Sequence, residues 1–579
     1  MKSLINTGIT SEWTTESLFV SMPEELKKEK GSYYTPQLLA DFMVYHLFDE
    51  RKFSFPDEIS ILEPSVGDGV FFKAILGNKN FHGREHFELP KKINMLAIER
   101  ENDELDKVKK YAKPLLTSKI KAKYINDDYL KFQVNNKRKF DLIIGNPPYI
   151  KSNYLSESQL EMCLDIHKKS SLSNKKIKNI WTSFVIGAVQ SLSSSGTLAF
   201  VLPAELLQVI YAKEIRDLLK AEFKLGKIDI FSFNKLIFDD IEQDVVVLIC
   251  AKNHQNPGVS FYHVNELNDL KTPDYTEDNS NVHRTTLDKW TNYILSDSDL
   301  KFLDYIKERN SIKTVRDYTD SVAGIVTAAN DYFIADQDTV NKYDLVKQTK
   351  LIIKKSSHLP SALVITGEDM QQSIENGVPC FLIDFNNEPS TSFPQKHKDY
   401  LAIGVSRKLN ERYKMKLREN WYSVPSVWGS EGFFTKRSNI FPRVIVNQAE
   451  ALVTDSFYRI KMHDGYEIKD LAFSFYNTLT FIYAELEGRY YGGSVLELTP
   501  NEFKNLTIPY ISNVKKSQIN KLEQLMRSRA KPNELLGFTD RAILIDGYGL
   551  TEADVKRLRS IYVSLVQRRL KNMSDAFMY

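Results

Sequence analysis

The chain has 579 residues, 42% hydrophobic and 26% charged, with a formal net charge of +3, a length that exceeds one ordinary core and predicts at least two domains. No apolar run approaches the ~18 residues of a membrane span, the polar start MKSLINTGITSEWTTE has no secretory core, and Cys163, Cys250 and Cys380 show no metal or redox spacing; a soluble cytoplasmic protein with no metal site and no membrane contact is expected. So small a net charge does not announce a nucleic-acid partner, so local basic clusters must carry that argument.

The first predicted element is a helix opening at Gly31-Ser-Tyr-Tyr-Thr35-Pro36, with Thr35 as N-cap, Pro36 at the first helical position, and Leu38, Leu39, Phe42 and Met43 as its buried face. From about 59 to 250, short β-branched runs alternate with stretches of helical period, the pattern of an α/β domain with a mostly parallel sheet. Seven strands are predicted, at 59–62, 93–98, 121–125, 140–145, 197–202, 228–232 and 244–250. The loop between the last two has no room for a crossover helix, so they should pair as an antiparallel hairpin.

The first strand runs into Glu63-Pro-Ser-Val-Gly-Asp-Gly69, where Gly67 and Gly69 let the backbone approach a ligand. The pattern departs from the GxGxxG fingerprint, and alone it reads equally well as an ordinary strand-to-helix turn. The second strand ends at Glu99, whose carboxylate can accept the two ribose hydroxyls of a nucleoside cofactor. The gap from the turn exceeds the ~20 residues of dinucleotide folds, and the polar stretch 77–92 reads as an insertion. The third strand ends at Asn126-Asp-Asp128-Tyr129, an acid to meet the cofactor's adenine amino group and an aromatic beside its ring, unless Asp128 is only a helix cap.

The sharpest motif is Asp141-Leu-Ile-Ile-Gly-Asn146-Pro147-Pro148-Tyr149, an apolar strand that delivers Asn146 to the carboxyl end of the sheet, where ligands bind in open α/β folds. Two prolines fix the backbone. The Asn146 side-chain oxygen and the Pro147 carbonyl can then face one amino group, pulling a nitrogen whose lone pair is delocalised into a ring toward a nucleophilic state. A base inside a duplex must be flipped out to reach such a site, and Tyr149 offers a stacking face. The plainer alternative is a proline-rich turn with a core tyrosine.

Beyond this motif lie lysine-rich stretches, His167-Lys168-Lys169 and Lys175-Lys176-Ile-Lys178, and later RYKMKLR (412–418) and Lys436-Arg437. Each is a candidate phosphate contact or simply a solvated face. Around 252–295 the texture turns polar (KNHQNPG, KTPDYTEDNSN), which predicts a domain boundary. The remainder is rich in Tyr, Phe, Trp, Lys and Arg and ends in charged helical segments from Lys515. The predicted division is an N-terminal arm 1–30, a catalytic domain 31–255, a linker 256–300 and a mixed α+β domain 301–579 with C-terminal helices.

Together these pieces resemble the gamma-class N6-adenine DNA methyltransferases of bacterial type II restriction-modification systems, over nearly the whole chain. The resemblance implies a seven-stranded, Rossmann-like S-adenosylmethionine-dependent catalytic domain followed by a target-recognition domain. It implies S-adenosylmethionine contacts for Thr35, Glu63, Ser65, Gly67, Glu99, Asp128 and Tyr129, and a catalytic Asn146-Pro147-Pro148-Tyr149. A second aromatic that sandwiches the flipped adenine is expected at Phe238, with Phe233 competing and a core Phe as the plain alternative. Lys168, Lys169, Lys175, Lys176, Lys436 and Arg437 become candidate DNA contacts. In the C-terminal part, Gly324-Ile-Val-Thr-Ala328-Ala-Asn330-Asp-Tyr-Phe333 looks like the family's Gly-Ile-x-Thr-Gly-x-Asn-x-x-Phe signature with Ala328 in place of glycine, and Gly488-Arg-Tyr-Tyr-Gly-Gly493 resembles another family turn.

The expected partners are double-stranded DNA and a cognate restriction endonuclease acting on the same site, with a monomer favoured over a dimer in a bacterial cytoplasm. Glutamine methyltransferases of release factors and ribosomal RNA adenine methyltransferases share the chemistry but not the long C-terminal module. A fused nuclease is not expected, since about thirty residues precede the Thr-Pro segment. A non-catalytic DNA-binding relative is disfavoured by the intact Asn146 and Tyr149.

Overall fold

The computed structural model describes residues 34–48, 53–77, 89–172, 177–233, 237, 244–264, 266–271, 276–278, 290, 295–386, 388–491 and 495–570. The predicted arm 1–30, most of the insertion 77–92, Lys175, Lys176, Phe238, Gly492 and Gly493 lie outside them. The chain divides into two compact units, 1–200 and 201–579.

The first unit is a parallel sheet with its helices. Helix α1 (Gln37–Phe48) is followed by β1 (Glu58–Glu63), α2 (Val70–Gly77), β2 (Lys92–Glu99), α3 (Asn102–Ala112), β3 (Ile120–Asn126), α4 (Tyr129–Asn135), β4 (Phe140–Gly145), α5 (Glu157–Lys169), α6 (Trp181–Ser191) and β5, which opens at Leu192. The strand order is β3-β2-β1-β4-β5, every pair parallel, the order of a Rossmann-like sheet. Ile61 sits between Met95 and Leu142 in register. Ile61, Leu62, Leu142 and Ile143 are fully buried, which is why the central strands read as continuous apolar runs. In α1, Leu39, Phe42 and Met43 are buried, as the periodicity predicts.

The second unit opens within β5 (Leu192–Pro203) and continues through α7 (Lys213–Glu222), β6 (Lys227–Phe233) and β7 (Val245–Ala251). β6 and β7 pair antiparallel from Lys227↔Ala251 to Ser232↔Val246, the expected hairpin. Two further strands follow in the stretch that reads from sequence as turn-forming. β8 (Gly258–Val264) pairs parallel with β6, and β9 (Thr276–Asp278) antiparallel with β8. Phe261, Tyr262 and Val264 are all buried, so the run lacks the clean alternation that announces a strand.

Farther on, a five-stranded sheet runs in the order Thr319–Ala323, Phe457–Met462, Gly432–Thr435, Val444–Asn447 and Val364–Ile365. Helices Ile468–Phe475 and Thr478–Glu487 contribute to its core, as do the charged segments Lys516–Arg527, Pro532–Asp540 and Glu552–Leu570 through Leu522, Leu535 and Leu558. Among the described residues no helix is long and apolar enough to cross a membrane.

Candidate active site

The ends of β1, β2 and β4 bring the sequence motifs of the first unit together. After Glu63 the chain leaves β1 into a tight turn: Val66 N donates to Ile98 O at 3.1 Å and Gly69 N to Val66 O at 2.9 Å. Gly67 and Gly69 have φ of +51° and +78°, a region that L side chains rarely occupy. A Cβ at Gly69 would also lie 2.8 Å from Val108 Cγ2, so α3 packs directly on the turn. At Gly67 the nearest atom to such a Cβ is Tyr34 Cε1 at 3.9 Å, which leaves the face above it open to a ligand.

Glu99 closes this turn. Its carboxylate accepts Gly67 N at 2.9 Å through Oε2 and Glu101 N at 3.0 Å through Oε1. Backbone donors thus fix its orientation, and each oxygen keeps a lone pair for a hydroxyl. Tyr34 Oη donates to Glu104 Oε1 at 3.3 Å; burial and that carboxylate push its phenol up to about 12. Glu63 is 1% exposed, and among the described residues neither of its oxygens has a hydrogen-bond partner. Burial, then the nearby Asp68 and Glu99 carboxylates, hold its carboxyl well above the usual range.

Asn146 stands at the end of β4 between the two motifs that sequence places far apart. Its Nδ2 donates to Thr35 Oγ1 at 3.1 Å, and its Oδ1 accepts Tyr149 Oη at 2.8 Å. Its carbonyl accepts Ser65 Oγ at 3.2 Å, joining it to the glycine turn. Pro147 is buried and Pro148 half-buried. The following segment is tied down by Ile180 N to Ile150 O at 2.9 Å and Ser152 N to Lys178 O at 3.0 Å. Asn146 therefore forms one hydrogen-bonded set with Thr35, Ser65 and Tyr149, and Gly67 with Glu99 forms a second, two residues along the same turn from Ser65. The Tyr149 ring is largely covered, at 7% exposed, with its hydroxyl turned to Asn146.

Other predicted residues are placed differently. Asp128 caps α4, accepting Leu130 N at 2.8 Å through Oδ1, while Oδ2 accepts Gln159 Nε2 at 3.0 Å. Tyr129 is 2% exposed and packs on Phe184 with ring centroids 4.6 Å apart, so its ring lies in the core. The Lys169 ammonium donates to Val134 O at 2.6 Å in the last turn of α4, and Lys168 pairs with Asp165 at 3.5 Å on an exposed face. In the second unit, Lys436 and Arg437 both pair with the buried Glu497. Phe233 is buried at the end of β6.

Sequence reasoning missed two supports. Asp141 accepts Ser60 Oγ at 2.7 Å, Ser60 N at 3.0 Å and Ser193 Oγ at 3.0 Å, bracing the entry ends of β1, β4 and β5; an acid opening an apolar strand was its signal. The Tyr34–Glu104 bond had none, since it joins residues 70 apart. Elsewhere, a mostly apolar pocket lined by His358, Met370 and Cys380 lies in the second unit, and its acid Asp369 is engaged by Arg527 at 2.8 and 2.9 Å. It holds no group suited to the Asn146 chemistry. Among the described residues no cluster of His, Cys, Asp and Glu could hold a metal.

Known proteins resemble this chain in both units. The family model of the Eco57I restriction-modification methylase matches residues 7–238, and that of the C-terminal domain of type II methyltransferase M.Eco57I matches 287–544. The type II methyltransferase M.AccI of Acinetobacter calcoaceticus is 25% identical over 516 residues, 86% of this chain and 88% of its own. M.HincII of Haemophilus influenzae is 23% identical over 400 residues, 66% of this chain and 68% of its own. Among solved structures, the Type IIL restriction-modification enzyme MmeI in complex with DNA aligns with a TM-score of 0.55 at 12% identity, over 94% of this chain and 75% of that one, a likeness of fold.

Proposed function

The chain belongs to the type II restriction-modification methyltransferases, and from that membership we propose that it transfers a methyl group from S-adenosylmethionine to N6 of an adenine flipped out of double-stranded DNA. The observation that carries this reading is the Asn146 amide, held by Thr35 and Tyr149 at the end of β4 and joined through Ser65 to the glycine turn.

The first unit fits such a cofactor: the face above Gly67 is open, Glu99 is oriented by two backbone amides, and the orphaned Glu63 lies beside Asp68 and Glu99, an acidic setting for a cation. S-adenosylmethionine supplies an electrophilic methyl on a sulfonium when bound. Glu99 is placed for the ribose hydroxyls, and Thr35, Ser65 and Gly67 line the turn. Asp128, anchored as a cap, keeps only the remaining lone pairs of its carboxylate for an adenine amino group, and Tyr129 supports α4 from within. Asn146 Oδ1 and the Pro147 carbonyl accept the two hydrogens of the target amine, which frees the nitrogen lone pair for attack without a strong base. That stabilisation grows as positive charge develops on the nitrogen, so it acts on the transition state. Tyr149 stacks the base once the ring is uncovered.

The second unit, from 301, reads the DNA sequence. Lys168 contacts phosphate with Lys175 and Lys176, while Lys436 and Arg437 present one net positive charge beside Glu497. The modified site is thereby protected from a cognate endonuclease in a bacterial cytoplasm. Expression in a host whose DNA lacks methylated adenine tests this reading. N6-methyladenine should appear at one recurring sequence; its absence from the genomic DNA, with folded protein present, would contradict the proposal.

A further inference from the structure

Glu63 is the least ordinary residue of the first unit. It closes β1 with 1% of its surface exposed, and among the described residues neither carboxyl oxygen has a hydrogen-bond partner. Buried carboxylates are normally paired or hydrogen-bonded, because an uncompensated charge in a low-dielectric interior is strongly unfavourable. Here the surroundings make it worse. The charges that bear on Glu63 are Asp68 in the turn and Glu99 at the end of β2, both negative. Lys73 on α2 is committed to Asp68 at 3.4 Å, and the Tyr34 hydroxyl to Glu104. On the β4 side the neighbours are backbone and apolar: a Cβ built on Gly145 would lie 3.9 Å from Glu63 Cγ, 3.4 Å from Pro64 Cδ and 3.8 Å from Phe200 Cε1. Gly145 directly precedes Asn146, so the carboxyl is close to where the methyl donor must meet the amine.

We propose that the Glu63 carboxyl stays neutral in the free chain and gives up its proton to solvent when the cationic methionyl end of S-adenosylmethionine binds beside it. Cofactor binding is thus also a proton-release step. The inference rests on the cofactor reading above. Breaking the Glu63 O–H bond leaves its electron pair on the carboxylate, the proton passes to buffer, and the ligand's positive charge replaces it as the neutralising partner. No other group has to change its state. The arrangement spares the empty site three clustered negative charges, and it makes affinity depend on pH: below the raised ionisation of Glu63, tighter binding is expected with rising pH, by up to about tenfold per unit.

Titration calorimetry of the full chain with S-adenosylmethionine, in buffers of different ionisation enthalpy, counts the protons released. The measurement belongs below about pH 7, where the ligand's own amino group stays protonated. Wild type should release close to one proton per cofactor bound and Glu63→Gln, which mimics the neutral carboxyl in shape, close to none. Binding without proton release in wild type, or the same release from Glu63→Gln, overturns the inference. Absence of any binding overturns the cofactor reading and this inference with it. If Glu63→Gln does not fold, wild type alone decides: Kd must fall as pH rises from about 5.5 to 7, and a flat profile contradicts the linkage.

Discussion

Among single residues, Asn146 carries the proposed chemistry, its amide oriented from one side by Thr35 and from the other by Tyr149. Asn146→Ala removes an acceptor that strengthens as charge develops, so it should lower kcat by about 10²–10³-fold, by analogy with the loss of one oxyanion-hole donor. The affinity for cofactor and DNA should stay within a few-fold. Equilibrium binding beside single-turnover rates checks this, and an unchanged rate would contradict the role. Glu63 makes a prediction in stability as well. Above the ordinary carboxyl value of 4.5 the unfolded chain has lost a proton that the folded chain retains, so this group's contribution falls as pH rises through that window. Glu63→Gln removes the loss: without cofactor its thermal midpoint should exceed wild type's near about pH 8 and match it near about pH 4. Equal midpoints at both would mean that Glu63 is not neutral in the free fold. The Asn146 tetrapeptide, the glycine turn and Glu99 were legible in sequence because their spacing to strand ends is local. The burial of Tyr129 was not, since the sequence does not show which way a residue turns once Asp128 has capped a helix in front of it.

Among the elements, the segment from Gly324 to Phe333 is held by several hydrogen bonds. Ile325 N donates to Val453 O at 2.8 Å, and Arg418 and Arg412 donate to the carbonyls of Thr327 and Ala328 at 2.7 and 3.0 Å. Ala328 has a φ of +65°, the left-handed region where a Cβ costs roughly 1 kcal/mol or more. Alanine thus stands, in the left-handed region, where the resembled signature carries glycine. Ala328→Gly should stabilise the chain by roughly 0.5–1 kcal/mol after the added freedom of the unfolded state is offset, read as a higher denaturant midpoint; a lower midpoint would contradict the strain. The two arginines also show why a basic run is a poor guide to DNA contacts, since Arg412 and Arg418 are spent on carbonyls of this loop. The β6–β7 hairpin was legible from its short polar loop. β8 was not, because its side chains are buried on both faces and its composition follows a genuine turn at KNHQNPG.

For the whole molecule, the last helix is anchored through charge as well as apolar packing. Arg569 on Glu552–Leu570 donates to both oxygens of Glu485 at 2.8–3.1 Å, with both side chains at most 2% exposed. Arg569→Met takes the cation from that buried carboxylate and should cost roughly 3–5 kcal/mol, seen in the denaturant transition; a change below about 1 kcal/mol would assign the pair little weight. The loss of strand-helix alternation places a boundary at 256–300, whereas the chain divides at 200/201, within β5; long-range pairs such as Arg569–Glu485 leave no local pattern either. The reaction itself is read by transfer of labelled methyl from S-adenosylmethionine to duplex DNA of mixed sequence, followed by nucleoside digestion and chromatography. Label should appear in N6-methyladenine with wild type, and almost none with Asn146→Ala. Label in another base, or none from a folded, cofactor-binding protein, would contradict it.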